Sequence, residues 1–213
     1  MRLVMPRLYV ILDAALVHRP VLELAQQLID VGVRILQYRD KSGSAASVLR
    51  ASRELARTAS EAGASFLVND RPDIAYLADA TGVHVGQDDL GVEQARAIVG
   101  AQRWVGVSTH NRQQFESAAS TSADYIAIGP IFATKSKSDP DPVVGVELIR
   151  ELRWKTDKPI VAIGGIRLDH AEEVLRAGAD SVAIISDILL APDPKERAGQ
   201  FVKILEAVNL ASN

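Results

Sequence analysis

A compact (β/α)8 TIM barrel is the fold that the sequence predicts, on three observations. Short apolar runs rich in Val, Ile and Leu recur eight times along the 213 residues. Strands that are apolar almost without interruption are buried on both faces, the pattern of a parallel sheet covered by helices. Amphipathic stretches of helical length separate those runs. A junction phrase also repeats, as Asp30-Val31-Gly32-Val33, Glu61-Ala62-Gly63-Ala64, Ala80-Thr81-Gly82-Val83 and Arg176-Ala177-Gly178-Ala179. Each sets Gly where a helix needs a left-handed residue before the chain re-enters a strand. Eight units share the chain at about 27 residues apiece, close to the minimum for a strand, a helix and their turns.

In chain order the predicted strands are Leu8–Asp13, Val33–Arg39, Ser65–Asn69, Gly82–Val85, Trp104–Ser108, Asp124–Gly129, Pro159–Gly164 and Asp180–Ser186. Helices are predicted between them at Val21–Val31, Ala45–Ala62, Val92–Val99, Arg112–Thr121, Gly145–Trp154 and His170–Ala177. An open doubly wound sheet would need fewer strands and a GxGxxG-type first turn, which is absent. No linker or low-complexity segment interrupts the chain, so residues 1–213 are expected to form one domain. Its active site belongs at the C-terminal ends of the strands.

Composition narrows the partners. The chain is 47% hydrophobic and carries a net charge of −3, which leaves no chain-wide basic footprint for nucleic acid or an anionic membrane. Aromatics at 5% argue against stacking platforms for single strands. No apolar run approaches the ~18 residues of a membrane span, and the N-terminus has no signal-peptide core before Pro6 and Arg7. With no Cys, disulfides, thiolate metal sites and thiol nucleophiles are excluded together. The expectation is a cytoplasmic protein acting on small molecules, without nucleic acid or membrane.

Chemistry concentrates at four strand exits. Alternation along the second strand puts Val33, Ile35, Gln37, Arg39 and Lys41 on one face. Its polar end offers a guanidinium fork and an ammonium point charge, which suit a diphosphate and equally suit a charged strand end in water. The third and fourth exits deliver Asn69-Asp70-Arg71-Pro72 and His84-Val85-Gly86-Gln87-Asp88-Asp89. Asp70 and Asp89 are each consistent with turn or capping roles. As a pair beside a basic strand end they favour Mg²⁺, a hard cation that takes few protein oxygens and keeps waters and substrate phosphates.

The sixth exit, Gly129 to Pro142, is the one long loop, with hydroxyls at Thr134 and Ser136, cations at Lys135 and Lys137, and Phe132 as a shield. After the seventh and eighth strands, Gly164-Gly165-Ile166 and Ile185-Ser186-Asp187 stand where such barrels hold a phosphate on backbone N–H groups. Asp187 repels a phosphate if it points inward, so it is expected outward or on an amide. Ser108 is the better-placed donor of the fifth exit. A Ser–His nucleophile lacks a partner acid, and His84 is expected as a satisfied core histidine. His18 and His170 are expected at helix ends on the surface. No interior Lys with apolar flanks invites Schiff-base chemistry. A diphosphate with Mg²⁺ on one side and a monophosphate on the other imply group transfer with loss of pyrophosphate.

Taken in order, these motifs resemble one family, thiamine-phosphate synthase (thiamine-phosphate pyrophosphorylase). The resemblance runs from Tyr9 to about Ile188 through Gln37-Tyr38-Arg39-Asp40-Lys41, Asn69-Asp70-Arg71, Gly82 to Leu90, Gly106 to His110, Gly129-Pro130-Ile131-Phe132 and Ala162 to Ile166. It implies joining a hydroxymethylpyrimidine diphosphate to a thiazole monophosphate, giving thiamine phosphate and pyrophosphate. By the same resemblance Gln37, Tyr38, Arg39, Asp40, Lys41, Asn69, Ser108 and Lys137 handle the pyrimidine diphosphate, with Arg39, Lys41 and Lys137 catalytic. Asp70 and Asp89 match Mg²⁺ ligands; Thr134, Lys135, Ser136, Gly165, Ile185 and Ser186 match the thiazole-phosphate site. Two departures stand out: Ser136 replaces the usual Thr, and Asp187 replaces a small residue. Two competing expectations are a thiazole tautomerase and a non-catalytic sensor of thiamine phosphate. Self-association into a homo-oligomer is left open.

Overall fold

A computed structural model describes residues 3–134 and 141–208. Its strands are β1 (Leu8–Asp13), β2 (Ile35–Arg39), β3 (Ser65–Asn69), β4 (Gly82–Val85), β5 (Trp104–Thr109), β6 (Tyr125–Ile128), β7 (Ile160–Ile163) and β8 (Ser181–Ile184). All pair in parallel with their sequence neighbours, and β8 returns to β1, closing a barrel. Helices alternate with them: α1 (Val21–Asp30), α2 (Ala45–Glu61), α3 (Pro72–Leu77), α4 (Val92–Val99), α5 (Arg112–Ala119), α6 (Gly145–Leu152), α7 (Ala171–Arg176), α8 (Ser186–Leu189) and α9 (Pro194–Ala207). The predicted barrel is the observed one. β1, β3 and β4 have the predicted bounds, whereas Val33 lies before β2 and packs in the outer layer instead of sharing the inner face.

Alternation along each strand divides the apolar residues into two layers. In β6, Tyr125 and Ala127 point into the barrel, while Ile126 and Ile128 face the helices. The inner layer adds Tyr9, Ile11, Ile35, Leu67, Val161 and Ala183, which fill the barrel beneath the strand ends.

Three of the four predicted corners hold. Gly32, Gly63 and Gly178 have φ of 104°, 67° and 111°. The fourth differs: Gly82 lies inside β4, and Asp79 (φ 54°) makes the left-handed turn. Gly82 is needed for another reason, because a Cβ there would sit 2.3 Å from the Trp104 carbonyl oxygen. Asp124 and Asp180 each brace the barrel floor, accepting the Val105 and Ile160 amides at 2.7 Å and pairing with Arg96 and Arg153.

Candidate active site

The top of the barrel begins at β1 and β2. Arg39 pairs with Asp13, whose buried carboxylate also accepts the Ala15 amide at 3.0 Å. Asp13 shares the inward parity of Tyr9 and Ile11, the one signal by which sequence reasoning could have found it. Lys41, mostly exposed, pairs with Asp70. Beside them, the side chains of Tyr38 and Asp40 engage each other and the loop after β2. Tyr38 packs between barrel and helices, and its hydroxyl donates to Asp40 at 3.2 Å. Asp40 turns onto its own loop, accepting the Ser42 and Gly43 amides at 3.0 and 2.7 Å.

Asp70 leaves β3 in the left-handed region (φ 61°), with its amide on the His84 carbonyl at 2.7 Å. Asp89 is fixed by the Gly86 amide at 2.8 Å, and the two carboxyl groups stand within hydrogen-bonding reach. Burial first, then the adjacent Asp70 carboxylate, push the Asp89 carboxyl above its ordinary range, with the Gly86 amide and Lys41 pulling partly back. Negative charge is therefore crowded at this point of the rim. Among the described residues no cluster of three or more His, Asp or Glu forms a metal cage. Asn69, at the end of β3, lies beside His84 in the register.

On the opposite side a cleft of about 630 Å³, open to solvent, is lined by Ser108, His110, Thr134, Gly165, Ile185 and Ser186 among others. Gly164 and Gly165 are both left-handed, with φ of 95° and 66°. A Cβ on Gly165 would lie 2.5 Å from the Ala133 oxygen and 2.7 Å from that of Phe132. The backbone of β7's exit thus comes close to the β6 loop as no other residue would allow. Asp187 turns away, accepting the Leu168 amide at 3.2 Å, as its charge requires. His170 stands at the N-cap of α7, the helix end expected, half-exposed and with its ring packed on Phe132, 4.6 Å between centroids. Lys135, Ser136 and Lys137 lie outside the described residues.

Between the two sides runs a buried chain of hydrogen bonds. Gln37 Nε2 donates to the Tyr9 hydroxyl at 2.6 Å, which meets that of Tyr125 at 3.2 Å. The Tyr125 hydroxyl lies 2.8 Å from His84 Nδ1, and His84 Nε2 lies 2.8 Å from Ser108 Oγ. Gly106 makes room for Tyr125, since a Cβ there would lie 2.0 Å from its ring. Sequence reasoning singled out Gln37, His84 and Ser108 but not the tyrosines that connect them.

Burial pulls the His84 pKa down to about 4. In the unfolded chain it returns to about 6.5. Between those values unfolding takes up a proton, so stability falls as pH drops from about 6.5 towards 4, by roughly 1–3 kcal/mol. Chemical denaturation across that range should show the decline, and His84→Gln should flatten it.

Comparison with known proteins bears on this geometry. The sequence profile of a family described as thiamine monophosphate synthase matches residues 8–188. A thiamine-phosphate synthase of Koribacter versatilis is 50% identical over 213 residues, covering 95% of this chain and 97% of that one. One from Lawsonia intracellularis is 44% identical over 191 residues, 87% and 86% of the two chains. The solved thiamine phosphate pyrophosphorylase of Pyrococcus furiosus superposes with a TM-score of 0.87 at 32% identity, over 95% of this chain and 96% of that chain.

Proposed function

The chain belongs to the thiamine monophosphate synthase family, and from that premise we propose how its rim joins two phosphorylated rings. The activity is a transferase reaction of thiamine biosynthesis that forms thiamine phosphate. In this reading 4-amino-2-methyl-5-hydroxymethylpyrimidine diphosphate binds on the β2–β5 side and hydroxyethylthiazole phosphate on the β6–β8 side. The supporting observation is the division of the rim. A crowded carboxylate pair with Arg39 and Lys41 lies on one side, a glycine-built cleft with Ser186 on the other, and Ser108 between them.

Mg²⁺ fits the carboxylate pair. The donors are hard oxygens, their mutual repulsion is relieved by a cation, and two protein ligands leave room for water and phosphate oxygens. Asp70 and Asp89 would hold it, and when bound it neutralises charge on the departing diphosphate.

The chain's own residues do the rest by position and charge. The bond between the pyrimidine methylene carbon and the diphosphate oxygen breaks, and its electron pair leaves on that oxygen. The ring's amino group supplies electron density to the methylene, and the thiazole nitrogen's lone pair closes the new C–N bond. No protein nucleophile is required. Arg39, held by Asp13, and Lys41 receive the leaving diphosphate, with Ser108 as a hydroxyl donor and Lys137 as a third cation. Asn69 faces the same substrate from the end of β3. Gln37 meets the pyrimidine ring, and the Tyr38–Asp40 contact braces the loop that carries Lys41. Gly165, Ile185, Ser186, Thr134, Lys135 and Ser136 take the thiazole phosphate. One (β/α)8 unit over residues 1–213 is all this reading needs. Phosphorylated anions do not cross membranes unaided, so the compartment assigned is the cytoplasm; among the described residues no helix is long and apolar enough to cross a membrane.

Thiamine phosphate, oxidised to fluorescent thiochrome, is expected only when both substrates and Mg²⁺ are present. Conversion of thiazole phosphate alone would indicate a tautomerase. Binding of thiamine phosphate without turnover would indicate a sensor.

A further inference from the structure

The buried chain from Gln37 to Ser108 does not carry the bond-making chemistry, yet it joins two residues that this reading sets against opposite ends of one substrate. Its members come from five strands: Gln37 (β2), Tyr9 (β1), Tyr125 (β6), His84 (β4) and Ser108 (β5). Both tyrosines are almost wholly buried, so water does not substitute for a missing partner between them. Each hydroxyl has one hydrogen to give, and a neutral imidazole has one. Those counts restrict the chain to two self-consistent directions.

In the first, the Gln37 amide nitrogen donates to Tyr9, Tyr9 to Tyr125, Tyr125 to His84 Nδ1, and His84 Nε2–H to Ser108. The Ser108 hydrogen is then free for a ligand. In the second, every donation reverses: Ser108 donates to His84 Nε2, and the Gln37 amide turns its oxygen to Tyr9. The proton count is the same in both, with the imidazole hydrogen on Nε2 in one and Nδ1 in the other, and the hydroxyls rotated. Any mixture either sets two lone pairs face to face across one link or leaves a buried tyrosine hydrogen without an acceptor. The observed placement, with Gln37 Nε2 towards Tyr9, corresponds to the first. Among the described residues the Gln37 amide oxygen and the Ser108 hydroxyl hydrogen have no other protein partner, and Ser108 lines the open cleft.

We propose that Tyr9, Tyr125 and His84 are positioning residues that couple the facing of the Gln37 amide to the donor capacity of Ser108, and so select an aminopyrimidine diphosphate. The proposal rests on the reading of the two substrates given above. A ring presenting an amino group needs an acceptor, which is the Gln37 oxygen in the first direction, and Ser108 then keeps its hydrogen for the diphosphate. A ring presenting an oxygen needs a donor, which turns the amide. The chain must then break or reverse, and a reversed chain takes the Ser108 hydrogen away from the diphosphate.

The test uses the 4-oxo analogue of the pyrimidine diphosphate as a competitive inhibitor of the full chain, reading the ratio of its Ki to the KM of the amino substrate. A ratio is insensitive to the active fraction, so loss of folded protein does not imitate the effect. Wild type should give a ratio of about 100 or more, the penalty of an unpaired polar group in a dry site. Tyr9→Phe releases the amide and should bring the ratio below about 10. Tyr125→Phe should lower it similarly and reduce kcat more than Tyr9→Phe does, because His84 loses its directing donor as well. Wild type and both variants sharing one ratio would overturn the coupling while leaving the synthase activity intact. Wild type making no thiamine phosphate would overturn the activity itself, and the coupling with it.

Discussion

Asp70→Asn is expected to lower kcat by about a thousandfold, the scale of removing a group that stabilises charge on the reacting phosphates. Asn is the informative replacement. Asp70 sits at φ 61°, a conformation that Asn tolerates and most residues resist. The exit from β3 therefore keeps its course, and the Asp70 amide keeps its bond to the His84 carbonyl. The lost ion pair with mostly exposed Lys41 costs little stability. Activity should fall with the thermal midpoint nearly unchanged, and added Mg²⁺ should rescue it only partly. Chelation of wild type should reproduce the loss and excess Mg²⁺ reverse it. A variant within tenfold of wild type would mean that the carboxylate pair does not hold the metal of the reaction.

The barrel was legible because its strands are buried on both faces, which leaves unbroken apolar runs such as Leu8–Asp13 and Ser65–Asn69. Two of the three shortest helices were not, whereas α7, also of six residues, was marked by the Gly178 junction that follows it. α3 and α8 have six and four residues, too few for a 3.6-residue period to register. α9 begins on a readable start, Asp193 accepting the Glu196 amide with Pro194 in the first turn, but it follows the eighth unit, beyond the repeat. At the site, the residues that touch ligand in the proposed reading come from strand ends and stand out as polar breaks in apolar runs. Their supports do not. Asp13 and Arg39 are 26 residues apart and Tyr9 and Tyr125 are 116 apart. Only the inward parity of their strands hints that they meet. An aromatic on an apolar strand reads as core, and Tyr125 is core as well as a link in a polar chain.

Gly165→Ala should separate the two halves of the rim. Two penalties act at this position. An L residue at φ 66° costs about 1–2 kcal/mol, a drop of about 2–8 °C in thermal midpoint for a chain of this size. The added Cβ also meets the backbone oxygens of Ala133 and Phe132 at 2.5 and 2.7 Å. Backbone atoms cannot swing aside like a side-chain end, so the β6 and β7 exits must move apart. Displacements on the order of 1 Å in a positioning loop cost about a hundredfold. The KM for the thiazole phosphate should therefore rise by about 100-fold, while that for the pyrimidine diphosphate changes by less than about threefold. Gly63→Ala supplies the control. It carries the same left-handed strain at φ 67°, has nothing within 4 Å of the new Cβ, and lies at the opposite end of the barrel. It should lose similar stability with neither KM altered. If Gly63→Ala raised the thiazole KM as much, strain alone would explain the effect. If Gly165→Ala raised both KM values together, the glycine loop would not belong to one substrate's half of the rim.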